Sequence, residues 1–121
     1  SSLVNIMLIG LGSKWRANDI PQLASVQARM YAIRDFEDDW NKGVINAPNE
    51  VLTSANLTAD YSAEQVLSAD PVNYWLQYQY SVGMGEVAHL RTWLSEVCDE
   101  RLTRLMINSQ LNRVARITSP L

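Results

Sequence analysis

Residues 70–112 constrain the fold more than any other part of the chain. They read DPVNYWLQYQYSVGMGEVAHLRTWLSEVCDERLTRLMINSQLN. Asp70 is a suitable N-cap, because its carboxylate can accept the free N–H groups of a first helical turn. Pro71 follows where a missing N–H costs nothing. Val72, Trp75, Leu76, Val87, Leu90, Leu94, Val97, Leu102, Leu105 and Met106 then recur at three-to-four residue spacing, which predicts one broad buried stripe. Glu96, Asp99, Glu100, Arg101 and Arg104 fall opposite. Gly83 and Gly85 each cost about 1 kcal/mol relative to Ala inside a helix. The pattern therefore predicts a helical hairpin or sharp bend, with helices near 71–86 and 92–112 and Thr92 capping the second. One long helix tolerating both glycines is the alternative.

A chain of 121 residues with 47% hydrophobic residues makes one domain with enough apolar side chains for a core. The net charge of −3 disfavours a dedicated nucleic-acid binder, which needs a basic surface. The charge is uneven. Residues 1–70 hold five Lys/Arg and nine Asp/Glu, whereas 71–121 hold five Arg and four acids. With Cys98 as the only cysteine, no internal disulfide can form and oxidising export is not indicated. The N-terminal SSLVNIMLIGLG lacks a positive n-region and is too short to span a bilayer. A leading Ser is what removal of an initiator Met leaves. Together these predict a soluble intracellular product with no membrane association.

The rest of the chain reads as follows. Leu3–Leu11 is a short helix candidate, with Leu3, Ile6, Met7 and Leu11 on one face and Gly12 as its stop. Residues 20–41 form a second helix. Asp19 caps it, Gln22 completes a capping-box pattern, Leu23, Val26, Met30, Ile33, Phe36 and Trp40 face the core, and Gly43 ends it. Residues 43–69, interrupted by Pro48, Asn, Ser and Thr, read as a long irregular arm. Short extended pieces at 51–53 and 56–58 and a short helix at 63–67 fall within it. The fold class is thus all-α: a small helical bundle over residues 1–112, an irregular arm between helices 2 and 3, and an extended C-terminal tail over 113–121.

No motif carries catalysis. Gly10-Leu-Gly12-Ser13-Lys14 has the wrong spacing for a phosphate loop, and Gly83-Met-Gly85 lies inside a helical pattern. Asp35, Glu37, Asp38 and Asp39 are adjacent on one helix and point in different directions, which reads as a solvated or interface face rather than a carboxylate pair. His89 and Cys98 are nine residues apart, on opposite sides if the helix is continuous, and Cys98 reads as a small core residue. Tyr74, Trp75, Tyr78 and Tyr80 read as core and subunit-interface packing. No catalytic, cofactor or metal residue is assigned. Arg101, Arg104, Arg113 and Arg116 are the strongest oddity, suited to an acidic partner surface, a DNA conduit or a solvated face.

Three stretches carry a resemblance. One is a short apolar helix, a polar gap and then a helix ending Arg34-Asp35-Phe36-Glu37-Asp38-Asp39-Trp40-Asn41-Lys42-Gly43. The second is Asp70-Pro71-Val72-Asn73-Tyr74-Trp75-Leu76-Gln77-Tyr78. The third is Leu105-Met106-Ile107-Asn108-Ser109-Gln110-Leu111-Asn112-Arg113-Val114, closing in Ser119-Pro120-Leu121. In this order they resemble the head-to-tail adaptor proteins of short-tailed phages, also called packaged-DNA stabilisation or tail accessory factors. This chain departs from them in a shorter turn between the last two helices and in stopping at Leu121, where longer relatives continue. The resemblance implies a structural virion protein of the neck, present in the host cytoplasm during assembly. Such a protein forms a homo-oligomeric ring, commonly of twelve copies, beneath the portal protein. The ring extends the channel through which DNA passes, retains packaged DNA and receives the next tail component, a hub or nozzle. The tail 113–121, with two arginines and no acid, leaves the helical core and is expected to meet the portal or a neighbour through Arg113, Arg116, Ile117, Pro120 and Leu121, and Arg101 and Arg104, on the outer face of the last helix, are the arginines expected towards the channel. A small helical cell-wall hydrolase using Glu37 and an acidic neighbour is the enzymatic alternative, and a helical DNA-binding regulator is the third reading.

Overall fold

The structure is a computed structural model and describes residues 2–120. Seven α-helices and a 3-10 turn make up the regular structure among the described residues, with no strand. They are α1 (Ser2–Gly10), the 3-10 turn Ala17–Asp19, α2 (Pro21–Arg34), α3 (Phe36–Asn41), α4 (Asn49–Ser54), α5 (Ala63–Leu67), α6 (Asp70–Glu96) and α7 (Arg101–Ala115).

The central element is α6. Its 27 residues run unbroken through both glycines, so the expected hairpin is replaced by one rod about 40 Å long. Packing explains the outcome. Met30 of α2 lies so close to Gly83 that a Cβ there would overlap its sulfur, whereas Gly85 faces open space. The cost of a glycine in the helix is thus offset at 83 by close approach of α2. The chain turns later, at 97–100, and Thr92 lies inside α6 with its hydroxyl donating to the Ala88 carbonyl at 3.1 Å. Asp70 is the first helical residue rather than the cap, a position held by Ala69.

Two hydrophobic clusters lie along α6. The larger joins Val4 and Leu8 of α1, Leu23, Val26 and Met30 of α2, Val87, Leu90 and Leu94 of α6, and Ile107, Leu111 and Val114 of α7. The smaller joins Phe36 and Trp40 of α3, Ala47, Leu52 of α4, Ala63 and Val66 of α5, and Val72 and Leu76 of α6. Ile33 packs against both. The expected 20–41 helix breaks at Asp35 into α2 and α3, which lets Phe36 and Trp40 face the smaller cluster. Asp19 does not cap α2. Its carboxylate accepts the Arg16 N–H within the 3-10 turn at 2.8 Å.

Residues 43–69 are folded rather than an irregular arm. Residues 51–53 are helical, in α4, and Ala47, Leu52, Ala63 and Val66 are buried. Pro48, read as an interruption, is the N-cap of α4, where its fixed backbone suits a helix start. The short helix at 63–67 is present and opens on a capping box between Ser62 and Gln65. The Trp40 indole N–H donates to the Tyr61 carbonyl at 2.8 Å, tying α3 to this segment. Gly12 and Gly43, both at positive φ, stop α1 and α3 as their sequence positions suggest.

On α7 the buried positions are Thr103, Ile107, Leu111 and Val114, while Leu102 and Leu105, expected in the core stripe, are exposed. Val97 is exposed as well. α7 continues through Ala115, so Arg113 belongs to the helix. No helix among the described residues is long and apolar enough to cross a membrane.

Candidate functional site: an arginine cleft and two apolar faces

An open cleft of about 500 Å³ lies between the end of α2 and the segment after α7. Ile33, Ile117 and Pro120 supply its apolar lining, Thr118 and Ser119 its hydroxyls, and Arg34, Arg113 and Arg116 its charge. α2 and α7 deliver their C-terminal ends to the same place, because both run antiparallel to α6 alongside it. Gln27 meets Gln110, and Arg91 of α6 donates to Asn112 at 3.0 Å. Arg34 is in the last turn of α2 and Arg113 in the last turn of α7, where a cation complements the exposed carbonyls.

The three arginines are not equivalent. The Arg34 guanidinium forms an exposed bidentate pair with Asp35, at 2.9 and 3.1 Å, and stacks over the Tyr31 ring. The Arg34 pair holds the Asp35 carboxyl below its ordinary range and raises Arg34. Arg113 and Arg116 are exposed and pair with no acid among the described residues. The cleft therefore brings together two guanidinium groups that have no acidic partner among the described residues, beside the apolar Ile33, Ile117 and Pro120. Such a site suits a carboxylate or phosphate, which a guanidinium can grip through two parallel N–H donors.

Of the residues read from sequence, the cleft brings together Arg113, Arg116, Ile117 and Pro120, and Leu121 lies outside the described residues. Arg34 completes the group. Its only sequence signal was a basic residue in the last turn before an acidic run. The segment after α7 does not leave the core. Ile117 is buried in the larger cluster, and the Gln77 amide donates to the Ser119 hydroxyl at 2.9 Å. Arg101 and Arg104 lie at the other end of α7. Arg101 is exposed, and Arg104 is half-buried with its guanidinium donating to the Cys98 carbonyl at 2.8 Å.

That opposite end is closed by a hydrogen-bonded clasp. The Glu100 carboxylate, at the N-cap of α7, accepts the Lys14 backbone N–H at 2.9 Å and the hydroxyls of Ser13 and Thr103. These donors, the Lys14 N–H first, pull Glu100 below the usual carboxylate range. Asp99 is lowered chiefly by its hydrogen bond from the Lys14 ammonium, at 3.0 Å. Above the clasp Trp15 packs edge-on against Trp93, ring centroids 5.1 Å apart.

No family model, no curated protein and no solved structure matches this chain.

Two outward faces are apolar. On α1, Leu3, Ile6 and Ile9 are 65, 66 and 59% exposed, opposite the buried Val4 and Leu8. α1 has no charged residue. On α7, Leu102 and Leu105 are 58 and 56% exposed. Tyr74 and Tyr78 of α6, considered for packing, are also largely exposed.

The acidic residues of α3, His89 and Cys98 lie in separate places. Glu37 and Asp38 are exposed, and Asp39 accepts the Asn46 amide at 2.8 Å. His89 is exposed beside Asp19, Gln22 and Trp93, whereas Cys98 is buried, as its sequence context suggested. Among the described residues no three His, Cys, Asp or Glu side chains are grouped to hold a metal ion.

Proposed function

We propose that this chain is a structural subunit of a phage neck, a head-to-tail adaptor that assembles as a ring beneath the portal and extends the channel through which DNA passes. The observation that carries the reading is the outward apolar face of α1, together with Leu102 and Leu105 of α7. Leu3, Ile6 and Ile9 stand in water on a helix that has no charge to solvate it. Exposed apolar side chains set together on one helix face, as on α1, are what a protein–protein interface would cover, and they support the reading. The three stretches that resemble the adaptor family supply the setting. Those helices carry the buried positions of both clusters, so the resemblance falls on residues that build the fold.

In this reading the portal, a neighbouring copy and the next tail component are the partners. The cleft with Arg113, Arg116, Ile117 and Pro120 is a contact surface, and Arg101 and Arg104 face the channel. The role needs no cofactor and no catalytic group. A phage deleted for this chain should package its DNA but yield heads that lose it and carry no tails, and the chain supplied in trans should restore both. Normal infectious particles without the chain would refute the proposal. Loss of a cell-wall-degrading activity in Glu37→Gln, with assembly intact, would move the assignment to the hydrolase reading.

A further inference from the structure

Charge in this molecule is sorted by element, and the sorted charges do not meet. Residues 36–70, which form α3, α4, α5 and their connections, contain seven acidic residues against one lysine. Glu37, Asp38, Glu50, Asp60, Glu64 and Asp70 are all exposed, and none forms an ion pair among the described residues. α7 is the reverse. It holds Arg101, Arg104 and Arg113, has no acid, and is followed at once by Arg116. Among the described residues no ion pair joins the two groups: α7 packs on α2 and α6, while α3 and α5 pack on each other and α4 and α5 on α6.

We infer that the arginine cleft receives the acidic unit, residues 36–70, of a second copy of this chain. Three points select that occupant. The cleft has two guanidinium groups with no acidic partner among the described residues, beside apolar side chains, and a guanidinium grips a carboxylate bidentately. The chain supplies a matching surplus of exposed carboxylates, none of which lines the cleft. A contact between two different surfaces of identical copies is heterologous, and repetition of such a contact closes a ring or extends a filament. Duplex DNA is the poorer fit. A chain of net charge −3 repels phosphate at long range, and the Arg34 side of the cleft is already compensated by Asp35. The inference rests on the ring reading and specifies which surfaces make the ring.

The test is sedimentation velocity of the purified full chain at several concentrations. Self-association is expected at low salt and is expected to fall away near 1 M, where the Debye length is about 3 Å. Arg113→Glu/Arg116→Glu and Asp38→Lys/Glu64→Lys change only exposed side chains, so each should keep the helical circular dichroism of the parent. Each should self-associate about a hundredfold more weakly or worse, because like charges then face each other across the contact. An equimolar mixture of the two variants should associate again. Association that survives both reversals, or a mixture that stays apart, would overturn the contact and leave the ring reading standing. A parent chain that remains monomeric throughout would overturn both. A fluorescein-labelled duplex bound by the parent and released by Arg113→Glu/Arg116→Glu, with self-association unchanged, would overturn the contact and reassign the cleft to phosphate.

Discussion

Gly83 and Gly85 stand two positions apart in α6 and have opposite surroundings. A methyl group at 83 would collide with the buried side chain of Met30, whereas one at 85 meets nothing within 4 Å. Gly85→Ala should therefore gain helix propensity and raise stability by up to about 1 kcal/mol. Gly83→Ala gains the same propensity but overpacks the core, at about 1–3 kcal/mol, for a net loss of about 1 kcal/mol. Urea midpoints at unchanged slope measure both. Stabilisation by Gly83→Ala would mean that α2 is not held against α6 as described. Sequence shows two glycines in a helical pattern, and only the partner helix distinguishes them. Glu100 supports a second prediction at this scale. Its folded pKa is depressed, so its contribution is complete above the unfolded value, about 4.3, and is lost as pH falls through the folded value. Glu100→Gln should lower the melting temperature at pH 7. It should also flatten the fall in melting temperature below about pH 4, where the parent loses the same contacts. Parallel melting curves for the two proteins across that range would show that the clasp adds nothing.

Among the elements, α1 and α5 were legible at nearly their full bounds, whereas α6 read as two helices and α4 did not show at all. The core face of α2 and α3 follows the apolar spacing of Leu23, Val26, Met30, Phe36 and Trp40, all buried. The same spacing misleads on α7, which offers two apolar stripes. Leu102 and Leu105 form one, while Ile107, Leu111 and Val114 form the other, and only the second meets α2 and α6. Thr103 joins the buried face because its hydroxyl finds the Glu100 carboxylate at 2.7 Å, a partner that apolar spacing cannot reveal. α4 was missed because six residues give too little periodicity, and its Pro48 reads equally as a stop or a start. Leu52→Ala should cost about 2–4 kcal/mol, since it removes a side chain 7% exposed from the smaller cluster. A cost below about 0.5 kcal/mol, as at an exposed site, would restore residues 43–69 to an unpacked arm. The cleft was half legible. Arg113 and Arg116 stood out by charge, but Arg34 reaches the same place through the antiparallel course of α6, a tertiary fact.

At the scale of the molecule, α6 runs the length of the fold and carries the larger cluster towards one end and the smaller towards the other. The first is wrapped by α1, α2 and α7 and bears the apolar outer faces, and the second bears most of the negative charge. Such a body presents different surfaces in different directions, which the proposed adaptor role would require. Electron cryomicroscopy of the particle neck tests this most directly. The expected result is density for this helical fold, recognisable by the 27-residue rod of α6, repeated around the portal axis with Arg101 and Arg104 towards the channel. A neck reconstructed at side-chain detail in which this fold is absent would contradict the adaptor assignment.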